Sequence, residues 1–436
     1  MTSKKVISWR CWRRAHFFFT ATILIAIYSP TVAAKNESKM CQREIYLTNV
    51  HNAQMEPSSI VATAEGDFVI TGGIGATRSG WATKIDSNGK VLWNYVRELD
   101  MSEKDLLNRE SVRPEYYGAV PMPDRSVYLC GSLPQTPNGN VSPVLTHIDA
   151  TGKQVSEKHL IPKSMVGLDA SLHVDGCVMW GSDFVVLGHG SYFPTPEAKT
   201  RFQSQSAYWV TVFDVKGAIK NEYKIASKIA GFSFIYEGVT VRAVGDQLVF
   251  SATNNVVTEV ISLKSDGITL GQIVLDGYFQ LVNPTDPRKN PQIYGSFKSN
   301  TDGPRILITL NEELLEIKRS ARSFPSEFVT RKVFQDSRDS LFLFGSSVHP
   351  FGERLRSGVV QTNPDLQVGE QISFGKDGLL DGGTIRAVAP TVKDGEYIVV
   401  RPFSSAESGV SEKRDGKPAQ RGAVINIINF KNEGGK

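Results

Sequence analysis

The sequence is poor in the residues that mark most chemistries. Of 436 residues, only 4 are cysteine, 7 histidine, 7 methionine and 6 tryptophan. Four cysteines in a chain this long are no disulfide-stapled miniature scaffold, and without a paired Cys-x-x-Cys they carry no zinc-site spacing. An excess of one charge sign is also missing: 49 Lys+Arg stand against 45 Asp+Glu, a formal net charge of +4. That balance leaves no basic footprint for nucleic acid. With 40% hydrophobic and 22% charged residues the chain is not disordered either. No Gly-x-Ser-x-Gly elbow, P-loop, His-Glu-x-x-His, paired Cys-x-x-Cys or EF-hand spacing occurs. No motif therefore fixes a reaction, and the chain is not assigned to an enzyme class.

Long apolar runs are absent too, and the one short run is informative. Lys4, Lys5, Arg10, Arg13 and Arg14 precede the stretch Phe17 to Tyr28. Pro30 and the small residues Val32-Ala33-Ala34 follow it. This is the layout of a secretory signal, with cleavage expected after Ala34. The apolar run has 12 residues, short of the ~20 that span a bilayer. The expected organisation is a cleaved signal peptide over 1–34, a linker over 35–42, one domain over 43–430 and a tail over 431–436. The mature chain is expected to lack a transmembrane span and to be periplasmic or secreted. Arg13-Arg14 weakly matches a twin-arginine signal, which leaves the export route open. Cys11 departs with the signal, and Cys41, Cys130 and Cys177 remain. In an oxidising compartment Cys130–Cys177 is the candidate disulfide, since both fall in neighbouring strand-like segments; three buried thiols are the alternative.

From Arg43 onward the chain alternates short apolar runs with Gly, Asp, Asn and Pro, the pattern of an all-β fold. One unit is clearest: SSIVATAEGDFVITGGIG (58–75) followed by GWATKIDSNGKVLWNYV (80–96). It reads as four antiparallel strands. An inner turn recurs at Asp67, Asp124, Asp183, Asp246, Asp339 and Asp394, each followed by an apolar run such as FVITGG or LFLFGSS. An outer turn recurs at Asp86–Gly89, Asp149–Gly152 and Asp214–Gly217, then decays at Lys264–Gly267, Asn311 and Asn363. Seven units spaced by about 55 residues result. Sheets of this kind bury both faces by stacking around an axis. The expectation is a seven-bladed β-propeller of four-stranded antiparallel blades. The last unit lacks a fourth strand, and the orphan segment Glu44–Asn49 could fill that slot and close the ring.

The first unit, with its Gly-Asp-Phe-Val-Ile-Thr-Gly run and Trp-x-x-Lys-Ile-Asp-x-x-Gly-x-Val-x-Trp run, resembles the repeats of secreted bacterial β-propellers. It is distantly similar to the tryptophan-docking repeats of quinoprotein dehydrogenases and outer-membrane assembly propellers, with Trp93 in the docking place. The likeness covers about 60 residues well. Later units lack the tryptophan, and the spacing of a sialidase Asp-box is not met.

Candidate binding groups follow from this layout. A carboxylate stands at the start of each innermost strand: Glu56, Glu115, Asp169, Glu237, Asp276, Glu327 and Asp381. A ring of like charges at a channel mouth raises carboxyl pKa values or binds cations. Tyr117, Tyr236 and Tyr278 accompany it as aromatic pocket candidates, and His189 and His349 end second strands near the same face. Long loops at 98–115, 191–206 and 404–420 share that face. No cofactor is expected; Ca²⁺ or a quinone is what such a site would take if it took one. The leading expectation is an exported monomer that binds a protein or small ligand through its loop face without catalysis. Alternatives are a periplasmic hydrolase, lyase or quinone-dependent oxidoreductase using the carboxylates, and an immunity protein against an envelope-acting toxin.

Overall fold

A computed structural model describes residues 43–47, 55–74, 79–97, 115–134, 141–165, 168–201, 205–229, 239–254, 256–284, 286, 288–297, 304–322, 328–347, 356–373, 385–393, 395–404, 413–414, 417–418 and 421–430. The expected signal peptide, Cys41, and the carboxylates Glu237, Glu327 and Asp381 lie outside them, as do Tyr236, His349 and the loop 98–114. The chain is all-β, built from antiparallel four-stranded sheets in sequence order. No helix among the described residues is long and apolar enough to cross a membrane.

Strand β1 (Arg43–Leu47) stands apart at the start. β2 (Met55–Ala62), β3 (Phe68–Ile74), β4 (Ser79–Ile85) and β5 (Val91–Val96) form the first sheet in that order. β6 (Glu115–Pro121), β7 (Val127–Pro134), β8 (Val141–Ile148) and β9 (Gln154–His159) form the second. The third holds β10 (Leu168–Trp180), β11 (Asp183–Phe193), β12 (Gln205–Phe213) and β13 (Ile219–Ala226), with a short helix, α1 (Pro196–Thr200), between β11 and β12. β14 (Val239–Val244), β15 (Gln247–Thr253), β16 (Val257–Lys264) and the first half of β17 (Thr269–Leu281) make the fourth.

β17 then runs straight on. Its second half pairs past β18 (Asn283–Pro284) with β19 (Gln292–Phe297), followed by β20 (Arg305–Leu310) and β21 (Glu316–Arg322), so the fourth and fifth sheets are continuous. β22 (Phe328–Gln335), β23 (Leu341–Ser347), β24 (Arg356–Thr362) and β25 (Val368–Ser373) make the sixth, and β18 pairs with β22 in parallel as a strap. The last sheet contains β26 (Ala387–Pro390) and β27 (Glu396–Ser404); after a small hairpin of β28 (Lys413–Arg414) and β29 (Lys417–Pro418) comes its third strand, β30 (Arg421–Asn429). β1 takes the fourth place, antiparallel to β30, with Ile45 opposite Ile425.

The apolar runs of the sequence are the second strands, and they are buried on both faces. Along β3, Phe68 and Ile70 point into a core shared with the last sheet, while Val69 points into a core shared with the second. Tyr397 and Val399 likewise face the sixth sheet, and Ile398 and Val400 the first. A strand with two buried faces reads as a continuous apolar run, because its period of 2 serves two cores. The fourth strands β9 and β21 are instead wet edges, exposed along most of their length. Apolar cores link the sheets pairwise: first with second, second with third, third with fourth, fourth with fifth, fifth with sixth, sixth with last, and last with first.

The outer turn keeps its geometry where its sequence decays. Asp86 Oδ1 accepts from the amides of Asn88 and Lys90, at 2.8 and 2.7 Å, and Gly89 takes φ +71°. Asp149 and Asp214 repeat this arrangement. At Asn311 and Asn363 the amide oxygen does the same work for Glu313 and Leu315, and for Asp365 and Gln367. The left-handed residue is then Leu314 (φ 62°) or Leu366 (φ 60°) in place of glycine. Such a conformation costs a leucine about 1–2 kcal/mol. Both leucines are buried in the core against the preceding sheet, which offsets that cost.

Candidate functional site

The first strand of a sheet lies at the edge opposite the fourth strand, so its start is where the expected carboxylates belong. Glu56 is the second residue of β2 and Glu115 the first of β6. Ser58 Oγ donates to Glu115 Oε1, which joins the first strands of adjacent sheets at this end. Asp169 is the second residue of β10. Asp276 sits in the middle of β17, opposite Val257, and is exposed.

Strand register separates these residues into levels. β2 bulges after Pro57, β6 after Tyr116, β10 after Val174 and β22 after Thr330. In each case a second-strand glycine faces the bulge: Gly72, Gly131, Gly188 and Gly345. A Cβ on these glycines would collide with the carbonyl oxygens of Glu56, Glu115, His173 and Val329 respectively. In the fifth sheet Gly295 meets the carbonyl of Tyr278 in the same way. One level of the inner strands is therefore Glu56, Glu115, His173, Tyr278 and Val329. Asp169 and Asp276 fall outside that level, so two of the described carboxylates share it and the other two do not.

His173 is the residue that sequence reasoning missed. It pairs across the strands with His189, and the two rings stack with centroids 5.2 Å apart. His189 Nδ1 lies 2.8 Å from Asp175 Oδ1, and Asp175 stands at the β10 bulge. Burial pushes the His173 pKa down to about 4, and the neighbouring His189 adds to the shift. Burial also opposes charge on His189, but the charge and hydrogen bond of Asp175 win and raise its pKa. The pair thus offers one imidazole kept neutral and one that favours its proton. The signal was present in the sequence: His173-Val-Asp175 and Gly188-His189-Gly190 flank one hairpin, and only the bulge hides their pairing.

The remaining candidates are placed as follows. Tyr117 is half-buried against the core between the second and third sheets. Tyr278 is half-buried, its hydroxyl 3.5 Å from Gln280 Nε2. Cys130 and Cys177 are bonded to each other, joining β7 to β10. Gly118, in the β6 bulge, leaves room for that bond: its Cβ would lie 3.0 Å from either sulfur. No group of three or more metal-ligating side chains is gathered among the described residues.

No family model matches the chain, and no curated protein does. Solved structures that resemble it include the β-propeller domain of the trilobed protease of Pyrococcus furiosus, at 8% identity over 80% of this chain and 89% of that one, TM-score 0.41. The Dos1 propeller matches at 10% identity over 90% of this chain and 95% of that one, TM-score 0.42. The acylaminoacyl peptidase of Pyrococcus horikoshii matches at 10% identity over 80% of this chain, TM-score 0.43; the chain spans 49% of that peptidase. The architecture of this chain rests on its own sheets and cores.

Proposed function

We propose that the chain is an exported, seven-bladed β-propeller, closed by β1, that binds a protein partner or small polar ligand at the loop end of its inner strands without catalysing a reaction. The cyclic succession of shared cores supports the ring, because the core between the last and first sheets draws on β1, β3 and β27 together. A disulfide between β7 and β10 fits an oxidising compartment. The observation that carries the binding reading is the level of Glu56, Glu115 and His173 on neighbouring inner strands, with His189 stacked on His173 and held by Asp175. Such a rim offers carboxylates to a cationic or hydroxyl-bearing ligand and an imidazole to an acidic one. Neutralising a toxin in the envelope is one form this binding could take.

The deciding experiment is elemental analysis and an absorption spectrum of protein purified from its native compartment. The expected protein is colourless and carries no stoichiometric metal. Bound Ca²⁺ or a quinone would replace this reading with the enzyme one, in which Glu56 and Glu115 would be the first residues to change.

A further inference from the structure

The innermost strands separate the two signs of charge. In the first three sheets they carry Glu56, Glu115, Asp169 and Asp175, and no lysine or arginine. In the fourth and sixth, β14 carries Arg242 and β22 carries Arg331 and Lys332, and neither strand holds a carboxylate. The innermost half of β17, from Gly277 onward, has no charged residue. Outer strands mix the signs instead, as Glu157 with Lys158 on β9 and Glu222 with Lys224 on β13. Arg242 is engaged away from the loop end, by the Val282 and Lys289 carbonyls.

Arg305 adds a cation to the basic side at the loop end. It is the first residue of β20 and is half-buried, with Arg322 opposite it on β21. Its Nη1 donates to Ser296 Oγ at 2.8 Å, and Ser296 stands opposite Tyr278 on the innermost strand. Its Nη2 donates to the Phe328 carbonyl of the sixth sheet at 3.4 Å. Both acceptors are neutral, and they use only part of the guanidinium fork. Arg97 is the contrast: it meets both oxygens of Glu157 at 2.9 Å. Next to Phe328, Val329 is 37% exposed, the one exposed large aliphatic on an innermost strand among the described residues. Val329 and Tyr278 lie on the same level as Glu56 and Glu115.

We propose, on the reading of the loop end as a binding face, that it takes the carboxyl terminus of a basic peptide. The carboxylate sits on Arg305, the last side chain packs against Val329 and Tyr278, and a cationic group of the peptide meets Glu56 and Glu115. In a ring of seven, the fifth sheet stands across the channel from the junction of the first and second. The two ends of a dipolar ligand then meet opposite signs. A guanidinium fork already fixed by two neutral acceptors is preorganised for a carboxylate, which it binds with charge-assisted bonds. The aliphatic surface beside that fork matches a carboxylate with an apolar side chain next to it, the chemistry of a chain terminus.

Calorimetric titration of the full chain with N-acetyl-Lys-Ala-Ala-Leu as the free acid, and with its C-terminal amide, tests this. The acid is expected to bind one to one, and the amide about tenfold more weakly. Arg305→Gln should remove the difference between the two probes. Val329→Asp, an exposed change that sets a like charge beside the carboxylate, should weaken the acid about tenfold and the amide less. It keeps the test available where Arg305→Gln does not fold. Arg319→Gln, on the outer strand β21, should leave both probes unchanged. Absence of saturable binding of the acid overturns the proposal, as does an acid preference that survives in folded Arg305→Gln or Val329→Asp. Equal binding of acid and amide to the wild-type chain, lost in Glu115→Gln, also overturns it, while leaving the loop end standing as a binding face.

Discussion

Leu314 offers a direct test of whether packing or backbone conformation sets the turn residue. Replacing it with glycine does two opposed things. It relieves a leucine held at φ 62°, worth about 1–2 kcal/mol. It also empties a site where the side chain is 2% exposed, in the core between the fourth and fifth sheets. Truncating a buried leucine costs about 2–5 kcal/mol, with the high end where the surroundings cannot collapse. The facing residue is Gly271, which has no side chain to move into the gap, so the high end applies. The net expectation for Leu314→Gly is a loss of about 3–4 kcal/mol, read as a lower urea midpoint at unchanged slope. The reciprocal change, Gly152→Leu, has no such balance: φ is +89° and Trp93 already occupies the space. It should cost more than Leu314→Gly. A neutral or stabilising Leu314→Gly would refute the reasoning, since it would mean that the left-handed strain outweighs the packing.

Three further outcomes follow. Replacing Cys130 and Cys177 with alanine frees a loop with a sequence separation of 47 residues, and chain entropy alone puts the loss near 4 kcal/mol, measurable as a drop in urea midpoint against the oxidised chain. The pH dependence of stability should carry the mark of His173: its folded pKa of about 4 lies below the ordinary 6.5, so its contribution is full above pH 6.5 and is lost as pH falls toward 4, by about 3 kcal/mol. His189 works in the opposite sense, contributing below 6.5 and losing its effect as pH rises through its raised folded value, so His173→Asn should flatten the acid limb alone. Glu259, fully buried, accepts from Tyr208, Ser227, the Lys228 amide and Gln272; Tyr208→Phe should cost about 1–3 kcal/mol, and no loss would mean that water replaces the hydroxyl.

Much of the architecture was written in residue pattern. The runs FVITGG and LFLFGSS mark second strands because burial on both faces leaves them no polar side. The segment near Glu44 was legible as a strand without a partner in its own unit, and it pairs with β30 at the edge of the last sheet. The late outer turns looked decayed because a search for Asp and Gly tests side-chain identity. Asn311 supplies the same acceptor as Asp86, and Leu314 replaces Gly89 only because a three-dimensional neighbour, Gly271, is small. That compensation lies between sheets and cannot be seen within one repeat.

Among the four described carboxylates, Asp169 falls off the level of Glu56 and Glu115 for a related reason. Counting from strand starts assumes that each residue advances the strand by one step, and a bulge breaks that count. The better marker was in the second strands. Gly72, Gly131, Gly188 and Gly345 each face a bulge, and the residue whose carbonyl they admit defines the level. The fourth sheet supports the rule by exception: Ala252 stands opposite Val239 in a register without any shift. In the fifth sheet Gly295 admits the Tyr278 carbonyl in a register without a shift, so the glycine marks the inward carbonyl rather than the bulge itself. Reading the glycines first would have aligned Glu56 and Glu115 with His173. It would also have put the stacked His173–His189 pair, in place of Asp169, at that level of the third sheet.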